Sequence, residues 1–340
     1  MKNDVNRQFR LKTRPTGRIE KSNFDFVEET IPEPGPGEAL VRVLYLSLDP
    51  TNRIWMSDMD QYMPPVAIGE VMRGGGVGVV VKSNSARYKE GDHVSGLTGW
   101  QDYCLADEEL RAMSVLPQGL PVDLPVMLGA CGMTGLTAYF GLLDLGRPKP
   151  GETVVVSAAA GAVGSVVGQI AKIKGCRAVG IAGGPDKCRH IVEDLGFDAA
   201  VDYKRADWRE QLAAATPDGI DVNFENVGGE IMEAVMARMN LFSRMPLCGM
   251  ISGYNTGDPA MRGDFSPILM RRIEVRGFIV IDFMEKFAEG AMQLAQWVLE
   301  GKLKHRETIV DGLENAPVAV NRLFDGGNIG KLVVKVSGTA

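Results

Sequence analysis

The chain has 340 residues, which as a soft prior fills two domains with sizeable cores. Its net charge of −6, with no clustered basic residues, argues against nucleic acid as a main partner. Five cysteines stand singly with no C-x-x-C pair, and there are three histidines, so no disulfide framework, structural zinc or His-rich metal site is expected.

The N-terminal residues 1–7 are polar and lack the apolar core of a signal peptide. No apolar run approaches the roughly 20 residues of a membrane span. The expectation is a reducing, cytoplasmic protein with no membrane partner.

Residues 1 to about 125 read as mostly β. A strong strand run covers 39–48, fenced by Pro32, Pro34, Gly35, Pro36 and Gly37. Residues 71–82 mix valine with four glycines, as strands do where they bulge or bend. A turn at 91–94 leads into another strand, and 99–105 adds one more. Together they suggest a Gly-rich partial barrel. Trp55, Met56, Tyr62 and Met63 follow Asp49-Pro50; they suit either an apolar pocket for a flat conjugated ligand or core cover.

From Met127 the period changes. Leu128, Cys131, Leu136, Tyr139, Phe140 and Leu143 fit a helix. Val154, Val155 and Val156 then form a short buried strand, residues 157–164 a turn of small residues, and Val166, Val167, Ile170, Ala171 and Ile173 a helix that stops at Gly175. A second strand at 178–182 closes a βαβ unit. The turn is a variant of G-x-G-x-x-G: Ala159 stands at the first glycine, Gly161 at the second and Gly164 at the third. It follows a strand and opens a helix, the context in which the pattern seats a pyrophosphate on free helix N–H groups.

At the end of the second strand, where an NAD site usually carries an acid for the ribose hydroxyls, stand Ala182, Gly183 and Gly184. Lys187 and Arg189 follow. Room plus a cation suits a 2′-phosphate, so the expected cofactor is NADPH. Further along, helices are expected at 187–195, 208–215, 232–239 and 287–300, and strands at 200–201, 220–225, 245–251, 274–281 and 332–336. The alternation implies a doubly wound parallel sheet. The last strand exceeds the six of such a sheet and should return to the first domain.

Taken together these residues resemble the medium-chain dehydrogenase/reductase superfamily, and within it the zinc-independent double-bond reductases such as prostaglandin, 2-alkenal and curcumin reductases. The resemblance is carried by Leu46-Ser47-Leu48-Asp49-Pro50, Gly99-Trp100-Gln101-Asp102-Tyr103, residues 132–142 and 158–175, Glu225-Asn226-Val227-Gly228-Gly229 and Asn328-Ile329-Gly330-Lys331. It implies an α/β fold: a doubly wound parallel Rossmann sheet at 127–301, plus a GroES-like partial β-barrel catalytic domain at 1–126 and 302–340. It also implies a homodimer, by edge pairing of the 274–281 strands.

The resemblance further implies the site. Gly161, Ala162, Val163 and Gly164 bind the pyrophosphate. Lys187 and Tyr203 hold the adenosine 2′-phosphate. Asn226 lies near the nicotinamide-side ribose. Cys248, Gly249, Ile251, Ser252 and Tyr254 line the cofactor, as do Phe278, Ile279 and Val280, and Asn328 reaches it from the C-terminal segment. Tyr203, Asn226 and the 278–280 run also fit packing, a turn and core strand. One departure stands out: many relatives carry Tyr after the Asp-Pro pair, whereas here Thr51-Asn52-Arg53 follows.

The reaction implied is NADPH-dependent reduction of the C=C bond of an enone or enal. Hydride goes to the β-carbon and hydrogen-bond donors hold the enolate oxygen without a metal. A nicotinamide-ribose hydroxyl and the Tyr254 hydroxyl are the candidate donors, Tyr254 being otherwise a residue that closes its loop. A zinc-free quinone reductase and a non-catalytic NADPH-binding protein remain the alternatives.

Overall fold

The computed structural model describes residues 5–109, 111–119, 122–256 and 264–337. The chain divides into two compact units, Met1–Leu128 with Glu307–Ala340, and Gly129–Arg306.

The first unit opens with an antiparallel pair, β1 (Asn6–Leu11) and β2 (Phe24–Glu29). Next comes β3 (Ala39–Ser47), buried at every residue but Arg42, as its unbroken apolar run demands. A short helix, α1 (Thr51–Trp55), follows the Asp-Pro pair. Then come β4 (Gly75–Ser83), β5 (His93–Leu97), β6 (Tyr103–Ala106) and β7 (Ser114–Val115). The strand expected from Val71 begins only at Gly75. Met72 is drawn the other way: its N–H donates to Phe9 O (2.8 Å) and its carbonyl accepts from Trp100 N–H (2.8 Å). Trp55 and Met56 are 8% and 0% exposed and belong to the core, which removes them as pocket-lining candidates.

The second unit starts with α2 (Met133–Phe140), which continues as a π-helical turn over Gly141–Gly146. Strand and helix then alternate: β8 (Thr153–Ser157), α3 (Gly164–Ile173), β9 (Arg177–Ala182), α4 (Pro185–Arg189), β10 (Ala199–Asp202), α5 (Trp208–Ala215), β11 (Ile220–Phe224), α6 (Gly229–Met236), β12 (Met239–Leu247), α7 (Ser266–Arg271) and β13 (Glu274–Gly277). A 3-10 stretch, Val280–Lys286, leads into α8 (Phe287–Leu299). The sheet order is β10-β9-β8-β11-β12-β13, with every neighbouring pair parallel. β8 and β9 are almost wholly buried, as strands covered on both faces must be.

Three expected boundaries shift. Met239 opens β12 instead of ending a helix, and β12 stops at Leu247, so residues 248–250 are loop and Ile251–Gly253 is a 3-10 turn. The strand expected over 274–281 ends at Gly277. The Asp282 carboxylate accepts from Ile279 N–H (3.1 Å) and caps the 3-10 stretch that replaces it.

The chain then returns to the first unit. β14 (Glu307–Asp311) runs parallel to β15 (Lys331–Lys335), and β15 pairs antiparallel with β3. The resulting order is β14-β15-β3-β4-β5-β7, with β6 also on β3. Lys331, only 2% exposed, donates to Leu48 O (3.1 Å) and pairs with the Asp49 carboxylate. β14 had no clear sequence signal, because its residues are half-exposed and do not alternate cleanly.

Candidate functional site

The strand order of the second unit reverses between β8 and β11: β9 and β10 lie on one side, β12 and β13 on the other. In parallel sheets of this kind ligands sit beyond the strand ends at that reversal. The candidate residues of this unit gather on the loops at those ends.

After β8, Ala158 adopts φ 52°, and Gly161 N–H closes the turn on Ala158 O (2.9 Å). Gly164 opens α3 against the same turn. A Cβ there would stand 2.4 Å from Ala158 O, so only glycine lets the helix start this close. Ala159 replaces a glycine without strain, since it is fully buried with its N–H on Ile181 O (3.0 Å). Residues 161–163 keep surface; Ser165 N–H is taken by Gly161 O (3.0 Å) and Val166 and Val167 N–H by Val163 O (3.1 and 3.0 Å), so the backbone before Ser165 is what a pyrophosphate would meet.

At the end of β9 a second cradle forms. A Cβ on Gly183 would meet the Tyr203 ring at 2.8 Å, so the glycine lets Tyr203 lie over the turn. Asp202 fastens the turn by accepting from Gly184 N–H (2.8 Å) and Lys204 N–H (3.1 Å). Burial holds the half-buried Lys187 ammonium below its ordinary value, and the nearby Lys204 lowers it further. Among the described residues neither ammonium forms an ion pair with a carboxylate, and two such cations suit a phosphate. Arg189 does not join them, since it pairs with Asp186 on the surface. Lys204 escaped the sequence reading. Its signal was its place directly after Tyr203 at the end of β10.

The loops after β8 and β11 are joined through Glu225, which is fully buried. Its Oε1 accepts from Ser157 Oγ (2.8 Å), Val227 N–H (2.7 Å) and Gly228 N–H (2.9 Å), and its Oε2 from Asn223 Nδ2 (3.0 Å). Neutral donors alone thus satisfy this buried carboxylate. Asn226 donates Nδ2 to Ser157 O (2.8 Å), which leaves its amide oxygen as the acceptor for a ligand hydroxyl.

The next loop folds over this one. Cys248 and Gly249 N–H donate to Glu225 O, Ile251 N–H to Asn226 O (3.1 Å), and Ser252 N–H and Oγ to Val227 O. The Tyr254 hydroxyl accepts from Met250 N–H (3.1 Å). Phe278 is core: it packs edge-on against Phe224, with centroids 6.2 Å apart, and is 9% exposed. Ile279 and Val280 keep partial exposure. Asn328 lies in the first unit, where its Nδ2 donates to Gly330 O (2.9 Å).

A Rossmann unit carrying a glycine turn, beside a sheet-rich unit, defines a nucleotide-dependent oxidoreductase fold. Residues 7–113 match the family described as N-terminal domain of oxidoreductase, and 162–297 the family described as zinc-binding dehydrogenase. The chain is 47% identical to the NADPH-dependent curcumin reductase of Escherichia coli, across 98% of this chain and 97% of that protein. It is 41% identical to mouse prostaglandin reductase 1, across 92% of this chain and 94% of the relative. The crystal structure of CurA from Vibrio vulnificus in complex with NADPH superposes with a TM-score of 0.93 at 46% identity, covering 98% of this chain and all of that one. The chain belongs to the medium-chain dehydrogenase/reductase superfamily, in the group that holds the curcumin and prostaglandin reductases. Among the described residues no group of three or more His, Cys, Asp or Glu side chains is placed to hold a metal ion.

Proposed function

We propose that this protein reduces the carbon–carbon double bond of α,β-unsaturated ketones and aldehydes with NADPH. The observation that carries the reading is the pair Lys187 and Lys204 beside the Gly183–Tyr203 turn, on the same sheet as the Gly164 helix start. The relatives at 47% and 41% identity, named as curcumin and prostaglandin reductases, support double-bond reduction with NADPH.

When bound, NADPH supplies the hydride that adds to the β-carbon of the enone. The residues of this chain do the rest. The first turn of α3 takes the pyrophosphate, with Gly161, Ala162, Val163 and Gly164 supplying backbone rather than side chain. Lys187, Lys204 and Tyr203 take the 2′-phosphate. Asn226 accepts from a ribose hydroxyl, while Glu225 and Ser157 keep its amide turned. Cys248, Gly249, Ile251 and Ser252 shape the wall by their backbone bonds to residues 225–227. Tyr254 donates to the oxygen on which enolate charge collects. A phenol that already accepts from Met250 N–H is a stronger donor. Ile279 and Val280 complete the cofactor wall.

The protein further assembles as a homodimer. Among the described residues β13 ends the sheet with β12 as its one neighbour, and apolar side chains stand exposed near it: Leu241 and Phe242 on β12, Leu269 and Met270 on α7. Among the described residues no helix is long and apolar enough to cross a membrane.

The test is an NADPH-oxidation screen over alkenals, enones, phenolic diketones and quinones, run beside NADH, with the product identified. Saturated ketones formed from enones carry the reading. Activity on quinones alone moves the chain to quinone reduction. Tight NADPH binding with no turnover on any acceptor makes it a binding protein.

A further inference from the structure

Glu225 does more than fasten two loops, because its charge is left over once its hydrogen bonds are counted. All of its donors are neutral: Ser157 Oγ (2.8 Å), Val227 N–H (2.7 Å) and Gly228 N–H (2.9 Å) on Oε1, and Asn223 Nδ2 (3.0 Å) on Oε2. Among the described residues no Lys, Arg or His forms an ion pair with it. The half-buried Glu152 of the same unit is matched, by contrast, with Arg244 (2.5 Å).

The surroundings favour the ionised form. Three donors converge on one oxygen. Asn223 turns its Nδ2 to the carboxylate and leaves its own buried Oδ1 without a partner. Gly228 precedes α6, so the carboxylate sits at the positive end of that helix. A helix end offsets about half a charge and leaves the rest. What remains is felt where the cofactor loops meet. Asn226, the next residue, is the ribose-side acceptor, and Cys248 and Gly249 N–H donate to Glu225 O (2.9 and 3.2 Å). Burial first, and Glu225 second, push the Cys248 thiol up to about 12. The two forms of the nucleotide differ in charge at one place: the oxidised nicotinamide ring is a cation and the reduced ring is neutral.

We propose that the unpaired charge of Glu225 favours binding of the oxidised nucleotide, so that NADPH held in this site is a stronger hydride donor than NADPH in water. This rests on the reading of NADPH as the hydride source and adds a tuning role to that site. A buried anion near a ring that becomes positive stabilises the oxidised side. Tighter binding of that side lowers the potential of the bound couple. Glu225 is fully buried and acts through its field, not by contact.

The test is a pair of dissociation constants, for NADP+ and for NADPH, measured by calorimetry on wild type and on Glu225→Gln. Gln keeps the shape and one accepting oxygen but carries no charge. Affinity for NADP+ should fall about three- to tenfold relative to NADPH, the scale of one charge acting across a partly screened gap. Glu225→Asp keeps the charge and should hold the wild-type ratio even where both affinities drop. A merely structural role would weaken the two nucleotides alike in Glu225→Gln, and that result overturns the proposal. Should Glu225→Gln not fold, wild type decides: it must bind NADP+ more tightly than NADPH, and the reverse order overturns the proposal. If wild type binds neither nucleotide, the NADPH reading itself falls. If it binds both and the ratio does not follow the charge, the tuning role falls alone.

Discussion

At the scale of single residues, the site depends on a few side chains and on one missing side chain. Lys187 is held below its ordinary value by burial first and Lys204 second. A bound 2′-phosphate should raise it again, because an anion favours the charged form. NADPH affinity should therefore be full below the folded pKa of Lys187 and fall as pH rises through it, while NADH affinity stays flat. Fluorescence titration of both nucleotides against pH checks the sign. Lys187→Ala should weaken NADPH by about 1.5–3 kcal/mol, the range for hydrogen bonds to charged groups, and leave NADH nearly unchanged. Lys204→Ala should act the same way to a lesser degree. Gly164→Ala would set a methyl 2.4 Å from Ala158 O. The loop must move, and a loss of about 1–3 kcal/mol in stability together with weaker nucleotide binding is expected from thermal melts and titration.

At the scale of elements, the loops after β8 and β11 act as one piece because Glu225 ties them. Glu225→Ala would strand the Ser157 hydroxyl and the N–H groups of Val227 and Gly228 inside the protein. Each lost partner costs about 1–3 kcal/mol, so the drop in melting temperature should be large, and Glu225→Gln should cost less because one oxygen remains to accept. This link also shows what the sequence made legible. The βαβ unit could be read because β8 and β9 are buried on both faces and α3 repeats its apolar positions. The ends of β12 and β13 could not, since Cys248, Ile251, Phe278 and Ile279 are apolar enough for strand. What ends the strands is tertiary: backbone bonds from 248–249 to Glu225 O, and the Asp282 cap on Ile279. Glu225 itself was quoted only as part of a motif, because its worth lies in partners as far as 68 positions away. Likewise, Arg189 looked equal to Lys187 along the chain, yet its neighbour Asp186 claims it.

At the scale of the whole molecule, the open edge at β13 sets the expected assembly. Leu269→Glu with Met270→Glu should convert a dimer to monomers, read by light scattering, with nucleotide binding retained, since both side chains stand exposed on α7. A wild-type monomer at micromolar concentration would remove the dimer. A different consequence follows from β15, which lies between β14 and β3 while Lys331 closes on Asp49, 282 positions earlier. During translation the early strands leave the ribosome with one flank unpaired and wait for the tail. Residues 129–306 emerge complete in the meantime, and long-range pairing is slow to form. A nascent chain halted before residue 331 should therefore yield a protease-resistant nucleotide-binding half joined to an N-terminal half that protease cuts and chaperones hold.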